Sequence, residues 1–126
     1  MKILYIEDDQ RVAALICTLL REQGYDVEYF ALGNAGLERF NQDVPAWDAV
    51  IIDLNLPDVS GQSILPQIAV QRPNLPIVVY SGVSGLNERF ELYSSGAAAL
   101  LTKPTNGQDL LDVLKGLIES PPEPIR

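Results

Sequence analysis

Short apolar runs alternate with longer stretches of helical spacing along the whole chain. Ile3 to Ile6, Val27 to Phe30, Ala49 to Ile52, Ile77 to Tyr80 and Ala97 to Leu101 are each too short for a helix and end near polar or turn-forming residues, which predicts five β-strands. Between them apolar residues recur every three or four positions. The clearest cases are Val12, Leu15, Ile16, Leu19 and Leu20, and then Leu110, Val113, Leu114, Leu117 and Ile118. Further helices are predicted over Asn34 to Asn41, Gly61 to Gln71 and Leu86 to Ser95, with Gly24 and Gly96 placed to end the first and fourth helices. Pro66 weakens the middle helix unless it sits in the first turn, where its missing N–H matters least. Leu86, Phe90 and Tyr93 follow helical spacing and are expected in the core, whereas Trp47 stands alone and is assigned no role.

Strand and helix alternate five times. That order favours one parallel sheet with helices on both faces, because parallel neighbours need a right-handed crossover of about this length. The continuous run Ala49-Val50-Ile51-Ile52 suits a central strand covered on both sides. The expected architecture is α/β: a single doubly wound, flavodoxin-like sheet of five strands in the order 2-1-3-4-5, flanked by five helices. One domain is expected over residues 1–119. The Pro-rich stretch 120–126 reads as an extended tail or the start of a linker.

Composition narrows the chemistry. The chain has 126 residues, of which 47% are hydrophobic, enough for one core. Nine Lys and Arg against 17 Asp and Glu give a net charge of -8, which disfavours direct contact with nucleic acid or anionic lipid. No apolar run approaches a membrane span, and the opening Met1 to Ile6 is too short for a signal peptide, so a cytoplasmic location is expected. The single Cys17 falls within an apolar helical pattern and is expected in the core. With no histidine in the chain, any chemistry rests on carboxylates, hydroxyls and lysine.

In open parallel sheets, ligands bind beyond the carboxyl ends of the strands, where the strand order reverses. Glu7, Asp8 and Asp9 follow the first strand, Asp53 the third, Ser81 the fourth, and Lys103 with Pro104 the fifth. In the order 2-1-3-4-5 the first and third strands are neighbours, so Glu7, Asp8 and Asp53 converge on one crevice. Crowded carboxylates repel unless a cation is present, and an all-oxygen set suits a hard divalent ion, Mg²⁺. A carboxylate beside such an ion, with a lysine and a hydroxyl nearby, has the parts for phosphoryl transfer. Capping of the first helix explains Asp9 but leaves the coincidence of Glu7 and Asp8 with Asp53 unexplained.

These residues resemble the receiver domains of bacterial response regulators, over Met1 to about Ile118. The resemblance rests on four ordered strings: Met1-Lys2-Ile3-Leu4-Tyr5-Ile6-Glu7-Asp8-Asp9; Asp53-Leu54-Asn55-Leu56-Pro57-Asp58-Val59-Ser60-Gly61; Val79-Tyr80-Ser81-Gly82; and Gly96-Ala97-Ala98 leading to Thr102-Lys103-Pro104. It implies a two-component signalling switch rather than a turnover enzyme. Asp53 would accept a phosphoryl group from a histidine kinase or histidine phosphotransfer protein, and the domain would promote its own phosphorylation and dephosphorylation. Asp8 and Asp53 would hold Mg²⁺ through their side chains and Asn55 through its backbone carbonyl, with Glu7 acting directly or through water. Lys103 would pair with Asp53 and then with its phosphoryl group, and Ser81 would move toward that group. A downstream protein or a linked output domain would read the state, and a phosphorylation-dependent dimer is consistent with the resemblance. Pro104 would follow a cis peptide bond.

Three positions depart from the family pattern. Leu100 stands where many receivers carry an aromatic switch residue, which puts the hydroxyl-aromatic coupling in doubt. Thr105 stands where Phe is frequent. Val83, two residues beyond Ser81, offers an attacking water little polar help, so dephosphorylation is expected not to be unusually fast. Three other classes fit less well. A haloacid-dehalogenase-like phosphohydrolase wants an acid where Asn55 stands. A flavodoxin needs a phosphate loop where Glu7-Asp8-Asp9 would repel phosphate. A degenerate receiver used only for docking would have lost an active-site position, and none is lost here.

Overall fold

The computed structural model describes residues 1–82, 86–103 and 107–119, and for residues 86 and 87 the backbone alone. Val83, Pro104, Thr105 and the Pro-rich stretch 120–126 lie outside the described residues. The elements are β1 (Lys2–Ile6), α1 (Gln10–Glu22), β2 (Asp26–Phe30), α2 (Gly33–Gln42), a 3-10 turn (Val44–Ala46), β3 (Ala49–Ile52), α3 (Gly61–Gln71), β4 (Ile77–Ser81), α4 (Leu86–Ser94), β5 (Ala99–Thr102) and α5 (Gly107–Glu119). All four strand pairings are parallel and the order is β2-β1-β3-β4-β5, as expected from the sequence.

Alternate strand residues point to opposite faces of a sheet, and the two faces carry separate cores. Leu4, Ile6, Val50, Ile52, Ile77 and Val79 pack with Phe40 of α2, Ile64, Leu65 and Ile68 of α3, and Leu92 of α4. Ile3, Tyr5, Ala49, Ile51, Val78 and Tyr80 pack with Ile16, Cys17 and Leu20 of α1 and Leu110, Leu111 and Leu114 of α5. Every residue of β3 and β4 is buried, which explains their unbroken apolar sequences. Cys17 is a buried free thiol, as expected.

Helix ends follow local chemistry. The Asp9 carboxylate accepts the N–H groups of Arg11 (3.0 Å) and Val12 (3.3 Å) at the start of α1. After α4, Gly96 at φ 119° lets its own N–H reach the Tyr93 carbonyl (3.2 Å) and the Ala97 N–H reach Leu92 (3.0 Å). Gly24 ends α1 in the same manner at φ 88°. Leu32, at the start of α2, has no capping oxygen in its side chain. The cap comes instead from the β3–α3 loop: Asp58 accepts the N–H groups of Gly33 and Asn34, each at 2.9 Å.

Two sequence expectations require correction. Pro66 lies in the middle of α3 rather than its first turn, and the helix continues through it. The bond that Pro66 cannot donate would have gone to the Gln62 carbonyl. Both residues are exposed, so solvent replaces it. Phe90 and Tyr93 are not core: they are 73% and 51% exposed, while Leu92 is the α4 side chain that packs inward. The Gly96 turn is the physical reason, because it draws Leu92 and Ala97 together against the sheet and rotates the aromatic stripe outward. The same turn delays β5 to Ala99 instead of Ala97.

Trp47, unassigned from sequence, is fully buried at the amino end of the sheet. Lys2 and Arg39 lie over its ring at 5.2 and 5.1 Å, and Glu28 bridges both cations at 3.0 and 2.8 Å.

A Cβ on Gly96 would overlap the Cβ of Ala69, and the positive φ disfavours any L side chain. Gly96→Ala is therefore expected to destabilise the protein by about 2 kcal/mol or more, read from the urea midpoint at unchanged slope. The Asn34 and Gly33 N–H groups hold the Asp58 carboxyl below the usual carboxylate range. A lowered folded-state value contributes stability that is present above the unfolded value and lost as pH falls through the folded one. Asp58→Ala is thus expected to lower the urea midpoint at neutral pH, and the gap to wild type should narrow as the solution is acidified. A gap independent of pH would refute the charged cap.

Candidate functional site

The parallel register carries the polar residues to one end of the sheet. Asp53 directly follows β3, and its N–H donates to the Ile6 carbonyl at 3.0 Å, which extends the β1–β3 ladder and sets Asp53 beside Glu7. On the other side the Lys103 N–H donates to the Ser81 carbonyl at 2.9 Å, extending the ladder between β4 and β5. Glu7, Asp53 and Ser81 are buried and Asp8 is exposed, so the site has a closed floor and an open mouth.

Asp53 lies at the centre of the contacts. Its Oδ1 accepts the Ser81 hydroxyl at 3.0 Å and the Asn55 N–H at 3.1 Å; its Oδ2 accepts the Lys103 ammonium at 3.0 Å. Lys103 Nζ also pairs with Glu7 Oε1 at 2.6 Å and stands 5.4 Å from the centre of the Tyr80 ring. One carboxylate oxygen from each of Glu7, Asp8 and Asp53 lies within 4.8 Å of the others. All the expected site residues except Leu100 therefore meet here, with Asn55 touching Asp53 through its backbone.

The loop after β3 is held close. The Gly61 N–H donates to the Leu54 carbonyl at 2.9 Å, and a Cβ on Gly61 would overlap the Asp53 carbonyl. Only glycine lets α3 start this near the acid. Ser60 caps that helix through the Gln62 N–H at 3.1 Å. A polar pocket of about 260 Å³, lined by Leu54, Asn55, Ser60, Gln62, Gly82 and Glu88, opens beside the residues that follow Asp53 and Ser81.

The electrostatics show a shortage of positive charge. Burial, reinforced by the hydrogen bond with Asp53, pushes the Glu7 carboxyl up to about 8 against the opposing pull of Lys103. Burial alone would raise Asp53 too, but the contacts with Glu7, the Asn55 N–H and Lys103 hold it below the usual range. Burial alone would lower Lys103, and its two carboxylate partners raise it instead. Glu7 and Asp53 thus share one cation, with Asp8 close by. A set of hard oxygen donors with unbalanced negative charge fits a divalent ion such as Mg²⁺.

Leu100 lies away from this cluster in the middle of β5, paired with Val79 and packed on the face that α2, α3 and α4 cover. It occupies the position expected of a switch residue without a ring to rotate. Two contributors escaped the sequence reading. The Tyr29 hydroxyl donates to the Glu7 carbonyl at 2.5 Å, and Asp58 fastens the Asp53 loop to α2. Tyr29 looks like any strand aromatic in sequence, and its contact exists only through the β1–β2 register.

The chain is similar to known response regulators and receiver domains. The cell cycle transcriptional regulator CtrA of Caulobacter vibrioides is 32% identical over 111 residues, covering 88% of this chain and 47% of that protein. The cell cycle response regulator CtrA of Brucella ovis is 29% identical over 118 residues, covering 94% and 50%. The chain therefore spans about half the length of these curated relatives. Among solved structures, the CheY-like receiver domain protein of Methanospirillum hungatei superposes with a TM-score of 0.87 at 27% identity, covering 94% of this chain and 93% of that one. The receiver domain of Francisella response regulator 1452 gives 0.85 at 28% identity, covering 94% and 96%. The family described as response regulator receiver domain matches residues 3–115, and with that match the chain belongs to the receiver domains of two-component response regulators.

Proposed function

We propose that Asp53 is the phosphoacceptor of a Mg²⁺-dependent signalling switch. The observation that carries this reading is the convergence of the Ser81 hydroxyl, the Asn55 N–H and the Lys103 ammonium on one buried carboxylate beside two further acids. The chain has no histidine, so the phosphohistidine belongs to a partner, a histidine kinase or a histidine phosphotransfer protein. In the transfer an Asp53 oxygen forms a bond to phosphorus as the bond from phosphorus to the donor imidazole breaks, leaving an acyl phosphate on this chain and a free imidazole on the partner.

Asp8 and Asp53 would hold Mg²⁺ through side-chain oxygens and Asn55 through its carbonyl, with Glu7 acting directly or through water. When bound, the ion neutralises phosphoryl oxygens and so lowers the repulsion between donor phosphate and acceptor carboxylate. Lys103 would neutralise a second phosphoryl oxygen. Ser81 exchanges its Asp53 contact for a phosphoryl oxygen, a shift on β4 that Leu100 on the adjacent strand senses through packing rather than through a ring. Haloacid-dehalogenase-like hydrolysis gains no support, because Asn55 offers no general acid two residues after Asp53.

The receiver unit is assigned to residues 1–119, with 120–126 as a tail or linker. The switch acts in the cytoplasm, and among the described residues no helix is long and apolar enough to cross a membrane. Its state passes to a downstream protein or a linked output domain by protein contact, with dimerisation on phosphorylation as one route.

Incubation with acetyl phosphate and Mg²⁺ is expected to add one phosphoryl group to the wild-type protein, detected by intact mass. Asp53→Asn, or wild type in excess EDTA, should show only background. Equal labelling of wild type and Asp53→Asn would remove Asp53 from the role.

A further inference from the structure

The acids at the end of β1 need a fixed backbone, and the β1–β2 ladder cannot supply all of it. Tyr5 pairs with Tyr29 and Ile6 with Phe30, and the Glu7 N–H makes one more bond, to the Phe30 carbonyl at 3.1 Å. In a parallel ladder the next bond would take the Glu7 carbonyl to an N–H further along β2. That strand ends at Phe30 and the chain turns into α2 at Gly33, so no strand amide follows. The Tyr29 hydroxyl takes the place of the missing donor, reaching the Glu7 carbonyl at 2.5 Å, the short end of the range for O–H···O bonds. Its ring is half-buried and leans on Tyr5 at 5.8 Å between centroids, so the hydroxyl extends from an anchored base.

This contact fixes the peptide that joins Glu7 to Asp8. On the far side Asp9 is held through its N–H to Glu7 Oε2 (3.3 Å) and through its cap on α1. Asp8, exposed at the mouth of the site, takes its direction from the backbone on either side. We propose that Tyr29 is a positioning residue for cation binding: its hydroxyl holds the Glu7–Asp8 peptide so that both carboxylates face Asp53. The inference rests on the reading of Glu7, Asp8 and Asp53 as the Mg²⁺ site.

Tyr29→Phe removes the hydroxyl and keeps the ring. Mg²⁺ affinity measured by titration calorimetry is expected to fall about tenfold, the lower end of what losing an outer partner of a metal ligand costs. The Mg²⁺ concentration for half-maximal phosphorylation by acetyl phosphate should rise in parallel, while the limiting rate at saturating Mg²⁺ stays at the wild-type value. Thermal unfolding in EDTA should remain cooperative and close to wild type. A variant with wild-type Mg²⁺ affinity overturns the positioning role and leaves the metal site standing. A variant that does not fold in EDTA, or whose limiting rate falls as well, also overturns it, since the hydroxyl would then serve the fold or the transfer itself. A wild-type protein that binds no Mg²⁺ overturns the metal reading and this inference together.

Discussion

The ammonium of Lys103 between Glu7 and Asp53 is the contact on which the rest of the structure turns. Two buried carboxylates side by side repel, and burial strips them of water. One cation 2.6 Å from Glu7 and 3.0 Å from Asp53 makes their proximity tolerable without cancelling it. Because Lys103 arrives from the end of β5 and the acids from the ends of β1 and β3, the ion pairs link the edge strand β5 to the two strands at the point where the order reverses. They also depend on register. A slip of one residue in any of these strands would turn the acid or the lysine to the other face.

The apolar body of the sheet exists to hold that register. β3 and β4 are buried throughout, and helices cover both faces, so the strand ends have little freedom. The loops that leave those ends are fastened by polar contacts instead. Gly61 allows α3 to begin against the Asp53 backbone, Asp58 ties the same loop to α2, and Tyr29 ties the β1 loop to β2. Each contact places backbone rather than adding a reactive group. Catalytic geometry on a parallel sheet is set by such supports, because the acids sit where the ladder gives out.

The fold and the site differ in how far the sequence discloses them. Five apolar runs separated by helical spacing disclose the strand count, and the placement of Glu7, Asp8, Asp53, Ser81 and Lys103 after those runs discloses the cluster. Periodicity failed where a local turn overrode it. Leu86, Phe90 and Tyr93 have helical spacing in the sequence, yet Leu92 is the α4 side chain that enters the core and both aromatics are exposed. Trp47 had no periodic context, since its burial under Lys2 and Arg39 depends on residues far apart in sequence. Asp58 and Tyr29 were illegible for the same reason. Their partners are backbone groups of other elements, and backbone groups leave no mark in a sequence.

The two ends of the sheet treat charge in opposite ways. At the amino end one acid, Glu28, meets two cations, Lys2 and Arg39, and all three are partly exposed, so the electrostatics there are modest. At the carboxyl end two buried acids, Glu7 and Asp53, share Lys103, with a third, Asp8, close by. Burial is the main cause that raises the Glu7 carboxyl, and the neighbouring Asp53 adds to it. Crowding buried carboxylates together costs stability. A ligand that binds the folded chain and supplies positive charge there removes the penalty, so occupancy and folding stability are linked. The exposed ion pairs of Lys2 and Arg39 with Glu28, set over the buried Trp47 ring, lie away from this site. Burial of the strands themselves allows β1 and β3 to end in acids that disfavour each other and remain in register.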